Sequence, residues 1–141
     1  MKIKKLDHLS SIYQEYDAFL IDLWGVMHDG IRLNVSAIDA VNKLEAKGKK
    51  IIFLSNAPRP TKKVAEFLKK LKMEDKLLKN ILTSGEAAMN SLKENKFGKK
   101  FYHLGPERDD SLFYNIKENK TTIDKCDFIL CTGLFDEEEE N

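Results

Sequence analysis

Three short apolar runs, Ala18-Phe19-Leu20-Ile21, Ile51-Ile52-Phe53-Leu54 and Ile81-Leu82-Thr83, are separated by segments with helical patterning. Continuous runs this short read as strands buried on both faces. After the first run, Ser36 can cap a helix with Ile38, Val41 and Leu44 on one side and Gly48 at its end. After the second, Val64, Phe67, Leu68 and Leu71 fall at i, i+3, i+4 and i+7 within Thr61 to Lys72, the apolar stripe of one helix. Thr83 and Glu86 have capping-box spacing and open a third helix reaching about Asn95. Strand and helix alternating in this way predict an α/β fold, a Rossmann-like parallel sheet with right-handed crossovers.

The rhythm changes after Gly98. Lys100 to Leu104 and Phe128 to Cys131 look like strands, and the polar stretch from Gly105 to Lys125 holds one expected helix around Ser111 to Lys117. Residues 1–97 are therefore expected to form one domain and 98–141 the beginning of another. Asp109-Asp110 reads as the cap of the Ser111 helix, and His103 as a structural residue at a strand end. Cys126 and Cys131 are the only cysteines, too few for a four-cysteine zinc site. On one strand they would point to opposite faces, as two reduced structural thiols.

Composition excludes several functions. The chain has 24 basic against 23 acidic residues in 141, with 42% hydrophobic, the balance of a soluble domain with a core rather than of a disordered chain. The longest apolar run falls far short of the ~20 residues that cross a membrane, so no membrane association is expected. Met1 to Asp7 is charged with no apolar stretch behind it, which makes the cytoplasm the expected compartment. The acidic run Asp136 to Glu140 leaves the remainder net basic. All but three basic residues are scattered lysines, which read as solvated helix faces and not as a nucleic-acid surface.

Two strand ends carry chemistry. The first run passes into Asp22-Leu23-Trp24-Gly25-Val26-Met27-His28-Asp29-Gly30. In open parallel sheets ligands bind beyond the carboxyl ends of strands, and a carboxylate there can ligate Mg2+ or attack phosphorus or carbon. Gly25 lets the backbone turn close to a ligand. A simple turn cap is the other reading of Asp22. The second run ends in Ser55-Asn56-Ala57-Pro58-Arg59-Pro60, where a hydroxyl and backbone N–H groups suit phosphate oxygens and Arg59 can clamp an anion. An ordinary polar loop is the alternative there.

These residues resemble the haloacid dehalogenase superfamily. Asp22-x-x-Gly25-Val26 and Leu54-Ser55-Asn56 carry the likeness, and Tyr16-Asp17-Ala18-Phe19 and Leu82-Thr83-Ser84-Gly85-Glu86-Ala87 add to it. The match is similar to the class IIA branch, and within it to a bacterial group with Asp-x-Trp-Gly first and His-Leu-Gly-Pro-Glu-Arg later, here His103 to Arg108. The resemblance covers about Tyr16 to Asp136. It implies a partial core followed by the start of an inserted α/β cap, and a hydrolase acting on a small phosphorylated metabolite. By that likeness Asp22 is nucleophile and Mg2+ ligand, the backbone carbonyl of Trp24 is a second ligand, and Ser55 and Asn56 hold the phosphoryl group.

Two departures stand out. The family's acid two residues after the nucleophile is Trp24 here, and indole cannot transfer a proton. General acid–base help is worth roughly a hundred- to ten-thousandfold, and His28 and Asp29 are the nearby candidates to replace it. The family's later Lys and further metal-binding acids have no counterpart by spacing. The sequence is therefore expected to be the N-terminal portion of a longer protein or of a broken reading frame, open to self-association through an incomplete sheet or cap. A non-catalytic phosphate- or metabolite-binding relative, or a structural half-domain, are the alternatives.

Overall fold

Strand β1 (Ala18–Asp22) and strand β2 (Lys50–Ser55) pair in parallel, with Ala18 opposite Lys50 and Asp22 opposite Leu54. A third strand, β3 (Ile81–Thr83), completes a sheet in the order β1-β2-β3. Helix α1 (Val35–Ala46) joins the first pair, and α2 (Thr61–Lys70) lies between β2 and β3. Helix α3 (Ser84–Lys93) follows β3 directly. Strands β4 (Phe101–Leu104) and β5 (Phe128–Cys131) form a separate parallel pair, Phe101 opposite Phe128. The computed structural model describes residues 5–134, so the acidic run Asp136 to Glu140 lies outside the described residues. The expected parallel α/β architecture is present. No helix among the described residues is long and apolar enough to cross a membrane.

The chain divides into two units: the residues up to Leu54 with Lys69–Ile81, and Ser55–Leu68 with the residues from Leu82 onward. In the first, Leu23, Met27, Val41, Leu44, Ile51, Phe53, Met73, Leu77 and Ile81 are buried. Leu20 is 65% exposed, so β1 is covered on one face and not on both. A four-residue apolar run does not distinguish the two cases. The cap of α1 also differs from expectation. Asn34, with extended backbone, accepts from Ala37 N through its side chain, and Ser36 Oγ donates to Asn34 Oδ1 at 2.8 Å. Asn and Ser are near-equal caps, and the chain enters the helix at the earlier of the two.

In the second unit Leu92, Phe101, Leu112 and Phe113 form a buried cluster, with Ala88, Met89, Ile116, Phe128 and Leu130 against it. The helix expected around Ser111 to Lys117 is instead two 3-10 segments, Glu107–Leu112 and Tyr114–Asn119. Phe113 leaves helical geometry (φ −125°, ψ 21°) between them. Consecutive residues on an α-helix point about 100° apart, and the break lets both Leu112 and Phe113 enter the cluster. Asp109 is not a cap; it is buried inside the first segment. Cys126 lies ahead of β5, its Sγ donating to Ile123 O, and Cys131 ends the strand; both thiols are free.

Candidate functional site

The end of β1 is a tightly closed turn. Asp22 Oδ1 accepts from Leu23 N at 2.8 Å. The carbonyl of Leu23, whose side chain is buried, receives the amides of Met27 (2.8 Å), His28 (3.2 Å) and Val26 (3.4 Å). Gly25 N donates to His28 O, and Gly25 sits at φ 75° with open space where a Cβ would be. Its backbone conformation, not room, is what asks for glycine. Asp22, at the end of β1, and Leu23 and Trp24 beyond it run exposed, buried, exposed. Among the described residues Asp22 Oδ2 and the Trp24 carbonyl accept no hydrogen bond.

The two candidate replacement acids sit in the same turn. His28 is buried, and its Nδ1 accepts from Gly30 N at 3.1 Å, which puts the proton of the neutral ring on Nε2. Burial lowers its pKa, opposed by the charges of Asp29 and Asp22. Asp29 uses Oδ1 to accept from Arg32 N (2.8 Å) and Ile31 N (2.9 Å). Those amides, Arg32 first, hold its carboxyl below the usual range, and the Arg32 side chain adds an exposed ion pair at 3.4 Å. This is an Asx turn, which spends the carboxylate on local backbone.

The end of β2 is organised from β3 and α3. Ser55 Oγ accepts from Ala57 N at 3.2 Å, leaving the hydroxyl proton to donate elsewhere. The loop's carbonyls are occupied: Asn56 O and Ala57 O receive Ser84 Oγ (2.8 and 3.0 Å), Ala57 O also receives Gly85 N, and Arg59 O receives Thr83 Oγ1 at 2.7 Å. Thr83 caps α3 by accepting from Glu86 N, as expected. Glu86 does not complete the capping box; its Oε2 accepts from Thr61 N at 3.0 Å and so caps α2 instead. The Arg59 side chain is exposed and makes no ion pair among the described residues.

Asp22, Trp24, Gly25, His28 and Asp29 thus share one turn, and Ser55, Asn56 and Arg59 share one loop. Strand register sets Asp22 opposite Leu54, the residue before Ser55 in β2. What sequence reasoning missed is the role of Thr83-Ser84-Gly85-Glu86 in holding the loop. The available signal was Gly85 at the second position of a helix, a poor helix former with no turn to make. No group of three or more His, Cys, Asp or Glu among the described residues is placed to hold a metal ion. A Mg2+ site here would draw on Asp22 Oδ2 and the Trp24 carbonyl, hard oxygen donors that fit an ion which keeps several waters and binds one or two carboxylates.

A family model described as haloacid dehalogenase-like hydrolase matches residues 19–116. No curated protein matches the chain significantly. Among solved structures, a haloacid dehalogenase-like hydrolase from Brucella suis 1330 is 28% identical, with a TM-score of 0.81, covering 96% of this chain and 51% of its own. A p-nitrophenyl phosphatase from Archaeoglobus fulgidus is 24% identical, TM-score 0.62, covering 81% of this chain and 44% of its own. A glycerol phosphate phosphatase from Mycobacterium tuberculosis, solved in complex with magnesium, is 21% identical, TM-score 0.61, covering 89% and 38%. The last two likenesses are of fold. The chain spans about half or less of the length of these proteins.

Proposed function

The chain belongs to the haloacid dehalogenase-like hydrolases, and from that premise we propose that it carries the nucleophile and phosphate-holding elements of a Mg2+-dependent phosphatase acting on a small phosphorylated metabolite. The observation that supports this most is the end of β1: an exposed carboxylate with one oxygen pinned by Leu23 N and the other uncommitted, beside an uncommitted carbonyl. An oxygen so fixed is prepared for in-line attack on phosphorus, because phosphoryl transfer is mostly positioning and charge stabilisation. Bound Mg2+ would neutralise charge on the phosphoryl oxygens.

In this reading Asp22 attacks phosphorus, the ester P–O bond breaks, and water later hydrolyses the aspartyl-phosphate, regenerating the carboxylate. Ser55 donates its free hydroxyl proton to a phosphoryl oxygen, helped by Asn56 N–H, and Arg59 attracts the anion. Gly25 keeps the turn close to the phosphate. Asp29, engaged by two amides, is a turn-former, which leaves His28 as the titratable group coupled to Asp22. The reading is tested by phosphate release from a panel of phosphorylated metabolites with Mg2+. Asp22→Asn is expected to lower turnover by about a thousandfold or more, as loss of a covalent nucleophile does. Turnover surviving in Asp22→Asn would refute it.

A further inference from the structure

Strands β4 and β5 run out side by side into His103-Leu104-Gly105 and Cys131-Thr132-Gly133. The carboxyl ends of parallel strands are where open α/β sheets take ligands. Two glycines keep side chains out of this place. A Cβ on Gly105 would collide with Thr132 Oγ1 and come within 3.1 Å of His103 Nε2. A Cβ on Gly133 would meet Asp109 Oδ2 at 3.9 Å.

Asp109 is the group left unexplained. It is 2% exposed, and its Oδ1 has no hydrogen-bond partner. Buried polar atoms are nearly always paired, and a buried carboxylate with neither donor nor counter-charge is costly. Lys120 does not answer it: its Nζ lies 3.9 Å from Asp110 Oδ1 and 5.4 Å from the centre of the Phe113 ring. The other side chains that converge here offer lone pairs. His103 Nε2 and Thr132 Oγ1 are 3.0 Å apart, and Asp110 Oδ1 faces His103 Nδ1 at 3.5 Å. The carboxylate favours the ring proton on Nδ1, so Nε2 accepts from the Thr132 hydroxyl, whose oxygen keeps its own lone pairs for another donor.

Charge and donor count define what fits. Two carboxylates repel an anion. His103, Asp109 and Asp110 do not converge as a metal-binding group. An ammonium brings one positive charge and three N–H donors on a compact head. We infer that the ends of β4 and β5 form a binding site for the ammonium group of a small primary amine, held by the Asp109 carboxylate with Thr132 Oγ1 as a second acceptor. The inference does not rest on the phosphatase reading, and its test needs neither Mg2+ nor turnover.

Methylammonium is the probe and the His103 ring the reporter, through its bond to Thr132. The 141-residue chain is titrated near pH 7.5 and followed by 1H–13C NMR of the imidazole signals, His103→Gln supplying the assignment. Tetramethylammonium, which has no N–H, holds the ionic strength constant. A saturable shift is expected with a Kd of about 10 mM, close to the limit for a ligand of two heavy atoms. Asp109→Asn weakens binding at least tenfold and raises the Tm of the free chain, since it removes an unpaired buried charge; a carboxylate with a purely structural role would lower the Tm. Thr132→Val, nearly the same shape without the hydroxyl, also weakens binding, and it decides the matter if Asp109→Asn fails to fold. The inference is overturned by signals that do not saturate by about 100 mM, by an equal response to tetramethylammonium or potassium, or by binding that survives in the folded variants.

Discussion

Replacing a helical glycine by alanine ordinarily stabilises a protein by up to about 1 kcal/mol. At Gly85 the sign is expected to reverse. A Cβ there would lie 2.3 Å from Arg59 N, 2.4 Å from Arg59 O and 2.6 Å from Arg59 C, all backbone atoms that cannot swing aside. To reach ordinary contact the 57–60 backbone must withdraw by about an ångström. That distance breaks the hydrogen bonds holding the loop: Gly85 N to Ala57 O (3.1 Å), Ser84 Oγ to Asn56 O and Ala57 O, and Thr83 Oγ1 to Arg59 O. At about 1 kcal/mol for each of the three donors (Ser84 Oγ shares one proton between two carbonyls), the loss outweighs the helix gain and leaves Gly85→Ala destabilised by about 2 kcal/mol. For a chain of this length that is a fall in Tm of about 8 °C, read by thermal or urea unfolding followed by circular dichroism. A variant melting at or above the wild type would refute the packing of loop against helix.

Three further outcomes are expected. Glu86→Ala removes the acceptor of Thr61 N and should cost about 1 kcal/mol in urea unfolding; no loss would mean α2 is not capped from α3. Gly30→Ala places a side chain where φ is 91° and where the Trp24 ring lies, costing roughly 1–2 kcal/mol from the backbone alone; a shifted emission and lowered anisotropy of the sole tryptophan are expected, and unchanged values would contradict the fixed ring. His103 is held below its ordinary pKa by burial and by Lys120, against Asp110 and Asp109. It binds fewer protons folded than unfolded, so stability should fall as pH drops through the window below about 6.5, above the range where carboxylates titrate. His103→Gln should lose less stability than the wild type between pH 7 and 5.5, and equal slopes would count against it.

The strands were legible because short apolar runs bounded by polar residues have few other uses in a small domain. β5 falls on Phe128–Cys131 and β3 on Ile81–Thr83, as the runs indicate. One-sided burial of β1 was not legible, since Leu20 is as apolar as Phe19 and only the third dimension separates them. Caps failed in two ways. Asn34 and Ser36 both qualify by residue type, and Glu86 has capping-box spacing yet serves the helix before its own. The 3-10 segments were hidden because apolar Leu112 and Phe113 sit side by side, a pair that fits a helix by propensity and leaves it by packing. For the candidate site, Asp22 and Ser55 were singled out from their place after apolar runs. The devices around them were not, because Gly30 under Trp24 and Gly85 against Arg59 act through the absence of a side chain.

That absence points to a division of labour at the two strand ends. Asp29 spends its carboxylate on Ile31 N and Arg32 N, Thr83 and Ser84 spend their hydroxyls on carbonyls of the loop, and Glu86 spends its carboxylate on the first amide of α2. Left uncommitted are Asp22 Oδ2, the Trp24 carbonyl and the proton of the Ser55 hydroxyl. A polar group satisfied by its own backbone adds stability and little to ligand binding, whereas an oxygen held in place but unpaired adds little stability and is available to a cation or a phosphoryl group. Substitutions should therefore sort by this criterion. Changes at Glu86, Gly85 and Asp29 are expected to move unfolding first and ligand binding only as a consequence. Asp22→Asn is expected to leave the melt nearly unchanged, since Leu23 N keeps an acceptor in the amide oxygen. A large fall in Tm for Asp22→Asn would mean that the carboxylate is structural, and the assignment of β1's end as the reactive one would fall with it.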